Sequence, residues 1–147
     1  MALEQQRELL ADEFDHHAME EGKILASYRA FAEELGDSTA GHLLNHILTE
    51  EEMHHLLLLT MANWLRSRRT EKAEQRVFCR NLDRDKFLQV TRELQRHERD
   101  TIDACRRLQS ELSGDDEHLL VTMLEAMILD SKKHDLLLAA LEKFAHV

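Results

Sequence analysis

The chain contains no proline and only 4 glycines in 147 residues. Sheet-rich folds turn often, and their turns lean on those two residues. An all-β sandwich or barrel is therefore close to excluded, as is a collagen-like or low-complexity chain. Leu, Glu, Arg and Ala dominate instead, all strong helix formers, while aromatic residues reach only 5%. Hydrophobic residues make up 43%, enough for one core of ordinary size. The expected fold is all-α, a single domain over residues 1–147.

Apolar periodicity marks four helical segments. The first stripe runs through Leu10, Phe14, His17, Glu21, Ile24/Leu25, Tyr28, Phe31 and Leu35. Gly36 is suited to end it, and Asp37 or Ser38 to cap the next helix. The second stripe is Ala40, Leu43/Leu44, Ile47, Glu51, His54, Leu58, Met61 and Leu65. The third is Phe87, Val90, Leu94, His97/Glu98, Thr101/Ile102, Cys105, Leu108 and Leu112, closed by Ser113 and Gly114. Asp115 or Asp116 is the expected cap of the fourth, which reads Leu120, Met123, Met127, Asp130, His134, Leu137/Leu138, Leu141 and Phe144.

Short links after the first and third segments predict two antiparallel helical hairpins. Between them lies a longer polar stretch, about residues 66–86. Either the second helix overruns into it, or it returns along the roughly 42 Å length of a 28-residue helix. An antiparallel four-helix bundle with one long crossover is the stronger expectation, with a simple up-down bundle as the alternative. Arg66, Arg68, Arg69, Lys72, Arg76, Arg80, Arg84 and Lys86 make the connection basic. That suits either a docking patch for an anionic partner or an ordinary solvated connector, the commoner case.

The net charge of −10 disfavours wholesale nucleic-acid binding, which needs a basic face. Cys79 and Cys105 form no Cys-x-x-Cys pair, so no rubredoxin-type or zinc-ribbon module is expected. The first residues lack the apolar stretch of a signal peptide. The longest run without Asp, Glu, Lys or Arg, Met53 to Leu65, is too short and too polar to cross a bilayer. A cytoplasmic protein without membrane partners is expected.

Each apolar stripe is interrupted about half-way by ionisable residues. An ionised carboxylate buried without a partner is costly, and a cation can satisfy several at once. The heights agree. Glu21 and His54 lie at similar distances from the first turn, and Glu98 and Asp130 from the second, with His134 one turn beyond. Glu51 and His54 share a helical face, as any i, i+3 pair does, so their oxygen and nitrogen can converge on one ion. The competing reading is a polar core satisfied by internal hydrogen bonds. Glu50 and Glu52 are expected outside, and His55 need bind nothing.

Glu21 with Tyr28 seven residues on, Glu50-Glu51-Glu52-Met53-His54, Glu98, and Asp130-Ser131-Lys132-Lys133-His134 resemble the rubrerythrin-like branch of the ferritin-like superfamily, in its short bacterial forms. The resemblance covers roughly residues 10–145. It implies two hairpins of a four-helix bundle, one or two iron ions, and Glu21, Glu51, His54, Glu98 and His134 as ligands. Ser131 stands where the family has a bridging Glu. Asp130, four before His134, is the candidate substitute, or else a group orienting a ligand histidine. His17 and His97 are further candidates. Without a Cys-x-x-Cys iron site, redox work would need an external electron donor.

Three functions compete at this point. The first is non-haem iron chemistry, oxidation of ferrous iron or reduction of peroxide, with zinc acceptable to the same donors. No catalytic residue is assigned beyond the metal ligands. The second, a hemerythrin-like carrier, would use His42 and His46, but His46 stands about 12 Å along its helix from His54. The third is a non-catalytic four-helix scaffold with a degenerate site. A homodimer is expected through Leu57, Leu59 and Trp64, off the ligand stripe, although these residues equally suit a widened core.

Overall fold

A computed structural model describes residues 2–67, 70–78, 81–112, 114 and 117–146, apart from the side chains of residues 73 and 74. All regular structure among these residues is helical. In chain order the helices are α1 (Ala2–Leu35), α2 (Thr39–Arg66), α3 (Ala73–Val77), α4 (Arg84–Glu111) and α5 (His118–Ala145). The chain divides into two compact units, Met1–Thr70 and Glu71–Val147. The first is the α1–α2 hairpin; the second is the α4–α5 hairpin with α3 against α5. No described helix is long and apolar enough to cross a membrane.

Local chemistry sets the first turn. Gly36 adopts φ +55°, the left-handed conformation that ends a helix without a Cβ penalty, and its N–H donates to Ala32 O at 3.2 Å. Ser38 Oγ then accepts from Gly41 N at 3.0 Å, capping α2 as expected. Gly41 is buried against this turn, and a Cβ there would collide with the Gly36 carbonyl oxygen.

The inner packing of this hairpin follows a seven-residue series that the large-residue stripes do not reveal. In α1 the buried residues are Ala11, Ala18, Leu25 and Ala32. In α2 they are Gly41, Leu48 and Ala62, with half-buried His55 completing the series. Leu25, Ala32 and Leu48 form one cluster, with Leu44 against it. A repeat of 3.5 residues keeps one narrow seam in register along both helices. Small side chains on that seam let the backbones approach closely. The larger stripe residues stand beside it and stay open: Tyr28, Phe31 and Ile47 are each more than half exposed. Expected as core, they are not buried by the hairpin they belong to.

The far end of the hairpin carries a polar clasp. Arg7 donates to Leu65 O (Nε, 3.0 Å) and Trp64 O (Nη2, 3.3 Å), carbonyls in the last turn of α2. Arg66 reaches back to Glu8 (2.9 Å), Asp12 (2.6 Å) and Asp15 (2.6 Å) on α1. These bonds accompany two differences from the expected boundaries. The first helix starts at Ala2 rather than near Leu10, and the second stops at Arg66 without overrunning.

In the second unit, Asp83 caps α4 by accepting from Lys86 N at 3.1 Å. Arg92 pairs with Glu142 (3.3 Å) and Gln109 with Glu125 (3.0 Å). Rising numbers on α4 against falling numbers on α5 are the mark of an antiparallel pair. Thr91, Gln95 and Cys105 are buried on α4, and Ile128, Ser131 and Ala145 on α5. The connection contains a helix that the periodicity does not predict, α3, followed by Phe78 edge-on to Phe87 with ring centroids 4.8 Å apart. α5 begins at His118 with Glu117 as N-cap; the Glu117 N–H donates to Gly114 O at 3.3 Å, and its side chain makes no capping bond among the described residues. The caps expected at Asp115 or Asp116, and Arg68, Arg69 and Arg80 of the basic connection, lie outside the described residues.

Gly41 provides a test of the turn. Replacing a helical glycine by alanine ordinarily stabilises a helix, by up to about 1 kcal/mol. The collision with Gly36 reverses the sign here. Gly41→Ala is expected to destabilise the protein by roughly 1–3 kcal/mol, the usual cost of overpacking, read as a lower urea midpoint at unchanged m-value. A gain in stability would contradict the packing described.

Candidate metal centre

Glu21 lies on α1 between the seam residues Ala18 and Leu25; Glu51 lies on α2 between Leu48 and His55. Offsets of three or four residues from the seam turn both carboxyls to one side of the hairpin. His54, three residues after Glu51, shares that side. The structure brings these three together: one ligand atom from each of Glu21, Glu51 and His54 lies within 4.8 Å of the other two. His54 Nδ1 is 3.4 Å from Glu51 Oε2.

Two carboxyls at close range disfavour each other's ionisation unless a cation lies between them. A hydrogen bond between them holds Glu21 above the usual carboxylate range, with burial adding to the rise. The same bond holds Glu51 below that range, helped by the charge of His54. The contact thus favours the protonated form at Glu21 and the ionised form at Glu51. Glu21 Oε2 is buried and has no hydrogen-bond partner among the described residues. A buried carboxyl oxygen ordinarily finds one, so an orphan beside a carboxylate and an imidazole is the arrangement a cation would complete.

In the second unit the structure brings Glu98 and His134 together across the hairpin, Oε1 to Nδ1 at 3.2 Å. Glu98 is the more buried partner, its side chain 14% exposed. Asp130 does not join them in a cluster of three donors; it pairs with Lys133 on its own helix at 3.3 Å. Ser131, where the ferritin-like pattern carries a Glu, is buried. The second hairpin therefore presents two converging donors where the first presents three.

The remaining histidines separate. His17 borders a groove beside Glu21 and favours its ionised form through charge. His97 is exposed. His42 lies near the turn, 2.9 Å from Asp37. His55, expected to need no ligand, occupies a seam position. Its Nδ1 is buried without a partner among the described residues, and its ring lies opposite Gly22, 4.0 Å from where a Cβ would stand. Only its place in the seven-residue series could have flagged it.

No protein-family model matches the chain, and no curated protein or solved structure matches it either.

The upward hold on Glu21 has a measurable consequence. A cation competes with the Glu21 proton, so metal affinity is expected to rise with pH as Glu21 deprotonates, from the ordinary carboxylate range upward. Glu21→Gln keeps a hydrogen-bond donor toward Glu51 but cannot become an anion. It is expected to preserve helicity and melting temperature while weakening divalent-metal binding at least about tenfold and flattening that pH dependence. Circular dichroism and metal titration at several pH values would check both.

Proposed function

We propose that this protein is a ferritin-like metal-binding protein, with a non-haem iron held by Glu21, Glu51 and His54. The observation that carries the reading is the convergence of Glu21, Glu51 and His54, with Glu21 Oε2 buried and without a hydrogen-bond partner among the described residues. Two carboxylates and one imidazole form a hard donor set suited to iron, and zinc is acceptable to it. The ferritin-like reading counts Glu98 and His134 as donors too, with Asp130 as a group beside them. The large apolar residues left open on both hairpins support an antiparallel four-helix bundle, since helices apolar over so wide a face normally bury it.

Within this reading each side chain has a task. Glu21, whose protonated form is favoured in the metal-free protein, would be a terminal ligand once ionised. Glu51, whose ionised form is favoured, would be the anchoring carboxylate. His54 supplies the nitrogen, and Glu51 orients its ring. Iron in such a site supplies a one-electron couple, suited to oxidation of ferrous iron or reduction of peroxide with an external electron donor. A cytoplasmic homodimer joined through exposed Leu57 and Leu59 belongs to the same proposal.

One observation favours a second reading. The Glu21–Glu51 hydrogen bond gives each of the two carboxyls one partner without a cation. That suits a scaffold without catalytic work.

Elemental analysis of protein purified without added metal, then reloaded with ferrous iron, separates the two. Stoichiometric iron is expected in the parent protein. Glu51→Ala and His54→Ala are each expected to abolish uptake with unchanged helicity. Chelation is expected to lower the melting temperature of loaded parent protein only. Full occupancy in either variant would overturn the site; no uptake by the parent would favour the scaffold. Glu98→Ala and His134→Ala report in the same assay whether the second pair takes part.

A further inference from the structure

α1 runs farther than its seam. Its buried residues begin at Ala11, and the place seven residues earlier is held by exposed Glu4. Between Ala2 and Leu10 no residue is buried, and Leu3 and Leu9 are each more than half exposed. Apolar packing therefore does little to hold these turns on α2. Polar contacts from two arginines take its place. Arg7 donates to the Leu65 and Trp64 carbonyls, and Arg66 gathers Glu8, Asp12 and Asp15, with each guanidinium nitrogen facing a different carboxylate.

We propose that Arg66 and these three acids form a latch sensitive to ionic strength, which holds the first turns of α1 on the end of α2 and lets them open apart from the rest of the hairpin. The acids stand at spacings of four and three residues, so they share one stripe of α1. Like charges at such spacings destabilise a helix, and Arg66 is the countercharge that relieves them. Once Arg66 lets go, the stripe's own repulsion favours unwinding. Salt can reach every partner: the Arg66 side chain is 32% exposed and the acids between 42% and 64%. Dissolved ions weaken exposed pairs of this kind. Opening is also coupled to α2, because Arg7 lies in the opening segment and satisfies carbonyls that the last turn of α2 leaves without helical partners. Segments with few buried apolar contacts are those that open locally, below the cost of global unfolding. The latch is independent of the metal reading, since none of its residues is a proposed donor.

Hydrogen exchange of the full chain, read by mass spectrometry in low and high potassium chloride, tests this. Between about 0.01 M and about 1 M salt the screening length falls from about 30 Å to about 3 Å. Protection of residues 6–15 is expected to fall at least about threefold over that range, with residues 22–32 little changed. Arg66→Gln is expected to show the low protection already in low salt and to lose the salt dependence. The triple variant Glu8→Gln, Asp12→Asn, Asp15→Asn removes the repulsion together with the attraction. It is expected to lose the salt dependence too, while keeping more protection than Arg66→Gln. Protection of residues 6–15 that is indifferent to salt in the parent protein, or unchanged in Arg66→Gln, overturns the latch. An equal loss across residues 6–32 in Arg66→Gln also overturns it, by making Arg66 a support of the whole hairpin.

Discussion

Close approach of α1 and α2 along a seam of small residues is the constraint from which the rest of the first hairpin follows. Ala11, Ala18 and Ala32 on one helix and Gly41 and Ala62 on the other leave little side chain between the backbones, and Leu25 and Leu48 fill the middle. Close-packed helices hold their neighbouring positions at fixed height and azimuth. Glu21 and Glu51 flank the seam on the same side, so they meet because the seam is narrow. A seam of leucines would hold the helices farther apart and open the gap between the two carboxyls. The same narrowness has a second effect. A seam built of alanine and glycine buries few large side chains, so Ile24, Tyr28, Phe31 and Ile47 remain available for other contacts.

The two hairpins resolve a similar electrostatic problem in different ways. In the first, two carboxyls face each other, and their hydrogen bond favours the protonated form of Glu21 and the ionised form of Glu51. In the second, a mostly buried Glu98 faces His134, so the imidazole is its partner. Ser131 stands three residues before His134, as Glu51 stands three before His54. Residue 131 is buried on α5, and a serine there brings neither the volume nor the charge of a glutamate. The result is a three-donor cluster in one hairpin and a two-donor pair in the other. Unequal donor sets of this kind make the first hairpin the stronger candidate for holding a cation.

Much of the candidate site was legible in the residues. The position of Glu21, Glu51 and His54 on apolar stripes at matched distance from one turn follows from helical periodicity alone, and these three residues converge. The turn was legible for the same reason: Gly36 and Ser38 each have a conformation or hydrogen bond that few other residues supply as well. Other features carried no comparable signal. Helix α3 spans only Ala73–Val77, too short for an apolar period to emerge. The seam was hidden because alanine and glycine weigh little in any reading that follows large apolar side chains. The early start of α1 accompanies contacts from Arg7 and Arg66, which join residues more than fifty apart in the chain.

The amino-acid sequence by itself determined that the chain is helical, where the first hairpin turns, and which donors share a helical face. These are local properties, set by backbone propensity, by capping and by the 3.6-residue repeat. Tertiary structure decided which apolar residues lie inside each hairpin, that Glu21 is the carboxyl held high and Glu51 the one held low, and that Glu98 meets His134 across the second hairpin. Those outcomes depend on the distance between helices and on differences in burial between neighbouring carboxyls. Neither quantity exists until two segments distant in sequence have packed.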